Sequence, residues 1–279
     1  MIELATQTAD PARPATGLRL FSRGVGAIPG LSYLPADARA AFVSRSTVGA
    51  RRTSLRPAAG GLSTARTNSE WSITPGSTAS LQIATGGAAN RIDQYTRARL
   101  TGTTAANVSA GLFPCSAPPG YGVLRRREGF ICHWAGAIRT AETAGIASMM
   151  GVYAPPIVVA DPPSMPNHFH VSLAVADATG DGWSLRRRTG TGTTQRVLLG
   201  MPRNNNGFYD ITVWAEPDAG AMGARIVDLT TGTVIHSASY TDNLPDPDTY
   251  LIFEMVASSR ATGVAQIHDI LGIDVIWWT

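Results

Sequence analysis

The chain has 279 residues, of which 44% are hydrophobic, 7% aromatic and 15% charged, with 29 glycines, 18 prolines and a formal net charge of +3. This is enough chain for a sizeable core, and a composition that suits short strands joined by tight turns rather than a helical bundle. All 23 basic side chains are arginine, which excludes functions that need a lysine: a Walker-type phosphate loop, a Schiff-base enzyme and a pyridoxal enzyme.

Charge is unevenly spread. Residues 1–139 hold sixteen arginines against six acids, and residues 140–279 hold seven against fourteen. A basic half suits an acidic protein surface or nucleic acid, although charge speaks to association and not to fold. The opening MIELATQTADPARPATG lacks the basic start and apolar run of a signal peptide. No window approaches the roughly 18 apolar residues of a membrane span, so the expectation is a protein made in the cytoplasm without membrane insertion. Cys115 and Cys132 show no metal-ligand spacing and read as buried free thiols.

In chain order, residues 1–16 are too poor in apolar side chains to pack alone and are expected to dock on a partner surface. Leu18 to Ser22, Leu31 to Leu34 and Arg51 to Arg56 read as short strands. From Gly60 to Gly87 the composition turns to Ser, Thr, Gly and Ala, with Trp71 and Ile73 as anchors, which reads as a linker or long loop. Strands resume over 94–101, 129–139 and 145–153. Pro155, Pro156, Pro162, Pro163 and Pro166 then mark loops, because proline cannot donate a ladder hydrogen bond. His168 to Ala176 leads into the most periodic stretch, Trp183 to Ile235, with runs near 183–188, 195–200, 208–215 and 222–229.

In the third of these runs Tyr209, Ile211 and Val213 point to one face and Asp210 and Thr212 to the other, the mark of a strand with one buried side. Thr231-Gly232-Thr233 closes the fourth run with a tight connection. Thr249 to Ser258 is a further strand, and Val264 to Trp278 a long closing one. Its Ile267, Leu271, Ile273, Val275 and Trp277 fall on one face, with Gln266, His268 and Asp274 on the other. Trp277 and Trp278 must face opposite ways, so one enters the core. The other packs at a subunit interface or under a loop of the same chain. No repeat of fixed period is present.

Two sets of framework residues carry a resemblance. The first is a Pro-rich lead, a Gly-x-Arg-Leu-aromatic strand, a Gly turn, an apolar strand and a Leu-x-Pro, here Pro11, Pro14, Gly17 to Phe21, Leu31, Tyr33, Leu34, Leu55 and Pro57. The second runs through Leu185 and Arg187, Val197, Leu199 and Gly200, Tyr209 and Ile211, Pro217, Arg225, Leu229, Thr231 and Gly232, Asn243-Leu244-Pro245 and Tyr250. Together they resemble the head and tail fibre proteins of bacteriophages and phage-like particles. The closing Trp277-Trp278 stands where an acidic or polar tail is expected of that family.

The resemblance implies a non-enzymatic virion structural protein, a homotrimeric fibre that contacts other virion proteins and the host surface. The expected fold is all-β: an antiparallel β-sandwich, jelly-roll or concanavalin-like, behind a small N-terminal attachment segment. The boundaries read as 1–60 for attachment, 61–90 for the linker and 91–279 for the sandwich. Pro14, Leu18, Leu20, Phe21, Leu31 and Tyr33 are the expected virion-attachment residues.

The residues show no convincing catalytic set, cofactor motif or metal motif. His168-Phe169-His170 places two imidazoles on one strand face, the start of a metal site without supporting ligands nearby. Glu216 and Asp218 form a carboxylate pair in a turn setting, and the acids at 177, 181, 242, 246 and 248 lack the ligand order of a calcium loop. The trios Arg125 to Arg127 and Arg186 to Arg188 alternate faces along a strand, so neither makes a flat phosphate-binding surface and no specific nucleic acid is expected. The expected contact is a host-surface glycan, bound and not cleaved, on a platform of Trp183, Tyr209, Trp214 and Tyr240. The alternatives are a capsid decoration protein without receptor role and a virion-borne polysaccharide hydrolase.

Overall fold

A computed structural model describes residues 6–7, 18–25, 28–35, 41–44, 50–55, 71–73, 78–82, 84–101, 108–114, 123–139, 146–154, 165–173, 182–201, 207–218, 220–259 and 267–278, with described side chains from residue 80 onward. The chain divides into two compact units, Met1–Arg51 with Trp278–Thr279, and Arg52–Trp277.

In the first unit β1 (Thr6–Gln7), β2 (Leu18–Val25), β3 (Ile28–Pro35) and β4 (Ala41–Ser44) form one sheet in that order. β1 runs parallel to β2 and the other pairs are antiparallel. The strands expected at 18–22 and 31–34 fall within β2 and β3. Pro14 lies outside the described residues, as do the side chains of Leu18, Leu20, Phe21, Leu31 and Tyr33.

The second unit is an all-β sandwich of two antiparallel sheets. Its strands are β5 (Ala50–Leu55), β6 (Trp71–Ile73), β7 (Thr78–Gln82), β8 (Arg97–Thr101), β9 (Val108–Pro114), β10 (Phe130–Ile138), β11 (Ile146–Tyr153) and β12 (His168–Leu173). They continue with β13 (Ser184–Arg188), β14 (Gln195–Leu198), β15 (Gly207–Ala215), β16 (Met222–Asp228), β17 (Val234–Tyr240), β18 (Ile252–Ser259) and β19 (Ile267–Trp278). One sheet has the order β17-β16-β15-β10-β19-β8-β7, with β5 pairing β19 off this path, and the other β14-β13-β12-β11-β18-β9-β6. β6 and β7 lie inside the expected linker 61–90, and each has a ladder partner, β9 and β8 respectively.

The core between the sheets follows from side-chain alternation. Tyr209, Ile211 and Val213 of β15 enter it as the sequence pattern predicts, beside Phe130, Trp134, Phe169 and Trp183. Each large side chain withdrawn from water contributes on the order of 2–3 kcal/mol. On the outer side of the eight-stranded sheet, Ile92 of a 3-10 turn (Arg91–Gln94) covers a smaller apolar cluster with Ala137, Phe208, Leu229 and Leu271.

The closing strand departs from the expected alternation. Its pairing with β10 shifts between Ala135, opposite Gly272, and Gly136, opposite Ile270, so Leu271 is an extra residue. A bulge reverses which side chains face the core. Ile273, Val275 and Trp277 point inward as predicted, but upstream it is Ile270 and His268 that point inward while Leu271 joins the outer cluster. His268, expected outward, is 1% exposed and its Nε2 lies 3.3 Å from Ser148 Oγ on the facing sheet.

Upstream of the bulge, Asp269 is fully buried on the outer face and anchors three arginines. Arg97 Nε and Arg99 Nε donate to it at 2.8 and 2.7 Å, and Arg139 Nε lies at 3.4 Å. Asp93 of the 3-10 turn takes Arg97 and Arg139 at 2.6 and 3.1 Å. These pairs tie the turn to β8, β10 and β19.

Candidate functional site

The second face of β12 sets this sandwich apart from a plain structural one. All six residues of β12 are buried. Phe169, Val171 and Leu173 enter the core, so His168, His170 and Ser172 occupy the opposite face of the seven-stranded sheet. Strand register fixes their neighbours. One row across this face is Arg196, Arg186, His170, Gly151 and Glu254; the next is Arg188, His168, Tyr153 and Ile252; a third joins Ser184, Ser172 and Met149.

Gly151 is required here. Its φ is +150°, and a Cβ on it would lie 2.6 Å from both Cα and Cβ of His170. The glycine therefore lets the Phe169–His170 backbone pack directly against β11, in the space another side chain would need. The rings of His168 and His170 stack with centroids 4.4 Å apart.

His168 Nδ1 is 2.6 Å from the Met165 carbonyl, and a carbonyl only accepts, so Nδ1 carries the proton and Nε2 presents a lone pair. That Nε2 and the Ser172 Oγ are buried without a hydrogen-bond partner among the described residues. Burial lowers the His168 pKa to about 4, against the Met165 bond and with the help of Arg188 and Arg186, so this imidazole is neutral at pH 7. The Tyr153 hydroxyl donates to Glu254 Oε2. Burial raises the Glu254 pKa to about 7, partly opposed by that bond, and burial together with Glu254 pushes the Tyr153 phenol up. Among the described residues no group of three or more His, Cys, Asp or Glu could hold a metal ion around the two histidines.

The Arg186–188 trio splits as its alternation predicts. Arg186 and Arg188 share the face of His168, whereas Arg187 turns to the other side, stacks 4.1 Å above the Tyr240 ring and donates to Gln195 and Asp242. Asp242 is held below its usual range by Arg187. The following Asn243, at φ +50°, rivets two loops: its Nδ2 donates to the carbonyls of Arg187 and Thr193 at 3.1 and 2.7 Å.

The four rings expected to form a glycan platform are placed differently from that expectation. Trp183 and Tyr209 are core side chains, 2% and 3% exposed. Trp214 lies on the outer face of the other sheet, flattened over Gly223, where a Cβ would sit 2.1 Å from its ring. Tyr240 is half-buried between Arg187 and His236. A ring covered on both faces has no surface for a sugar to stack on, so these four do not form an open platform. Among the described residues two aromatics face solvent: Tyr95, 41% exposed, and Tyr250, 53% exposed, with the Arg125 guanidinium 5.0 Å from the Tyr250 ring centre. Trp277 packs in the core opposite Phe130 and Trp278 is half-buried. Glu216 and Asp218 sit in the β15–β16 turn, where the Asp218 N–H donates to the Arg127 carbonyl.

Sequence reasoning singled out His168, His170 and Arg186 but not their surroundings. Tyr153 and Glu254 come from β11 and β18, and only the strand order brings them and Arg186 of β13 to the face of β12.

No family model matches the chain, and no curated protein matches it. Among solved structures it is similar to a protein of unknown function from Shewanella oneidensis MR-1, at 12% identity and a TM-score of 0.52, over 85% of this chain and 90% of that one. That likeness is one of fold. Peanut lectin (10% identity, TM-score 0.46, 82% and 97% covered) and an alginate lyase of polysaccharide lyase family 7 (12%, 0.46, 76% and 96%) are more distant in shape.

Proposed function

We propose that the chain is a non-enzymatic structural protein of a bacteriophage or phage-like particle, a trimeric head or tail fibre. In this reading its N-terminal unit docks on other virion proteins and its sandwich contacts a glycan on the host surface. The virion assignment is supported by the framework residues shared with fibre proteins.

The glycan contact is carried by one observation: on the buried outer face of β12, His168 Nε2 and Ser172 Oγ have no hydrogen-bond partner among the described residues. The same molecule covers its other sheet with Ile92, Ala137, Phe208 and Leu271, so an apolar cover is within its means. Burying polar atoms without partners costs about 1–3 kcal/mol each, a cost that a ligand supplying the missing hydrogen bonds would remove. Purified full-length protein incubated with host capsule or lipopolysaccharide, followed for retention and for release of reducing ends, tests this. Retention without release is expected.

A second reading, polysaccharide cleavage, is favoured by Glu254, whose carboxyl burial raises to about 7, into the range of a general acid. Its enclosure by Tyr153 and its 1% exposure favour binding instead. Release of sugar ends that is lost in Glu254→Gln would establish cleavage.

A further inference from the structure

We propose that the exposed ring of Tyr250 is a sugar-stacking site, with a neutral pyranose lying on its open face and the neighbouring Arg127–Asp248 pair hydrogen-bonding the sugar's hydroxyl groups. This rests on the glycan-contact reading and gives it a place that solvent reaches.

Backbone pairing fixes where the ring stands. Leu124 and Leu251 form an antiparallel bridge, with Leu124 N–H donating to the Leu251 carbonyl at 3.0 Å and Leu251 N–H donating back to the Leu124 carbonyl at 2.7 Å. Both leucines enter the core, so Arg125 and Tyr250, which the same register sets across from each other, turn away from it. The Arg125 guanidinium lies over one face of the Tyr250 ring and is itself held by Glu128. Further bonds strap the two loops together: Arg127 N–H donates to the Pro247 carbonyl at 3.1 Å, and Arg126 Nε to the Pro245 carbonyl at 2.9 Å. The ring is thus positioned before a ligand arrives, which lowers the ordering cost of binding. Ile252, two residues on, pairs with Tyr153 in the row of His168. Tyr250, on the same side of the chain by alternation, continues that sheet face into solvent.

The surroundings of the ring decide the class of ligand. Arg125 covers one face, so the open surface of Tyr250 lies on the other face and the rim. Tyr95, the other exposed aromatic, differs in packing its ring 5.9 Å from that of Phe208. A pyranose presents a face of C–H groups that lies flat on an aromatic ring, with hydroxyl groups around its edge. In the same two loops Arg127 and Asp248 are joined at 2.8 Å, with side chains 59% and 57% exposed. They set a donor and an acceptor side by side, the complement of neighbouring sugar hydroxyls, each of which both donates and accepts. Charge selects a neutral sugar. The loops hold Arg125, Arg126 and Arg127 against Glu128, Asp246 and Asp248, and the Asp218 N–H donates to the Arg127 carbonyl, so no excess of positive charge draws an acid group.

The test uses the full chain in titration calorimetry, with neutral oligosaccharides of glucose, galactose and mannose as probes and oligogalacturonate as the acidic comparison. Tyr250→Ala, Tyr250→Phe and Asp248→Asn serve as variants, Tyr95→Ala is the control ring, and near-ultraviolet circular dichroism checks that each keeps the fold. The expected result is binding of a neutral probe that is about tenfold weaker in Tyr250→Ala, severalfold weaker in Asp248→Asn and retained in Tyr250→Phe, which keeps the ring. Tyr95→Ala should bind as the native protein does. Equal affinity in Tyr250→Ala and the native protein would overturn the stacking site, and loss of that binding in Ser172→Ala would then leave the glycan-contact reading standing on β12. Preference for oligogalacturonate would overturn the neutral class. Failure of every probe and of host capsule would remove both readings.

Discussion

The Tyr153 hydroxyl donates to the Glu254 carboxylate on the outer face of the seven-stranded sheet, and both side chains are 1% exposed. Burial holds the Glu254 pKa near 7 against an ordinary 4.5, so the folded state keeps a proton that the unfolded chain releases. Its contribution to stability is complete below pH 4.5 and is lost as pH rises through 7, a loss of about 3 kcal/mol. His168 and His268 run the other way. Burial holds both near 4, so their contribution is present above pH 6.5 and is lost as pH falls toward 4. The carboxyl's part is isolated by comparison: relative to Glu254→Gln, whose amide still accepts from Tyr153, the native protein should lose thermal stability as pH rises from about 5 to 8.

Asp269 should be the most sensitive charged position in the sandwich. It is fully buried and takes Arg97 and Arg99 directly, with Arg139 at 3.4 Å. Asp269→Asn leaves these guanidinium groups with Asp93 as their remaining carboxylate, and breaking a buried pair from one side costs about 3–5 kcal/mol. Urea unfolding should show that loss, while Arg127→Ala, which breaks an exposed pair with Asp248, should change stability by less than about 1 kcal/mol.

Asn243 separates backbone from side-chain effects. Asn243→Gly keeps a residue that tolerates φ +50° but removes both hydrogen bonds from Nδ2, whereas Asn243→Ala removes the bonds and strains the backbone. Alanine should therefore be more damaging, by roughly 1 kcal/mol. Both variants should speed hydrogen exchange in the 189–194 loop.

The paired tryptophans should divide sharply. Trp277→Ala empties a core position and should cost about 3–5 kcal/mol. Trp278 is half-buried, and Trp278→Ala should leave the sandwich folded. If Trp278 is an interface anchor, light scattering of that variant should show the assembly dissociating; an unchanged mass would place the ring under its own chain.

Local alternation by itself determined which segments of the second half are strands. Tyr209, Ile211 and Val213 turn inward, Arg187 turns away from Arg186 and Arg188, and Trp277 and Trp278 divide, because neighbouring side chains on a strand have no other choice. Short strands in polar sequence were not legible. β6, β7 and β9 are held by their ladder partners β9, β8 and β18, and a hydrogen-bonded backbone leaves little mark on composition.

The bulge at Leu271 was equally silent, and it alone brings His268 inward and Asp269 to its arginines. The candidate site depended on strand order most of all. His168-Phe169-His170 reads as one face in the core and one in water until β11 and β13 are known to flank it, with Tyr153, Arg186 and Gly151 beside the two histidines. Side-chain direction is a property of one strand, whereas burial of its second face depends on segments distant in sequence, and only the tertiary structure decides that.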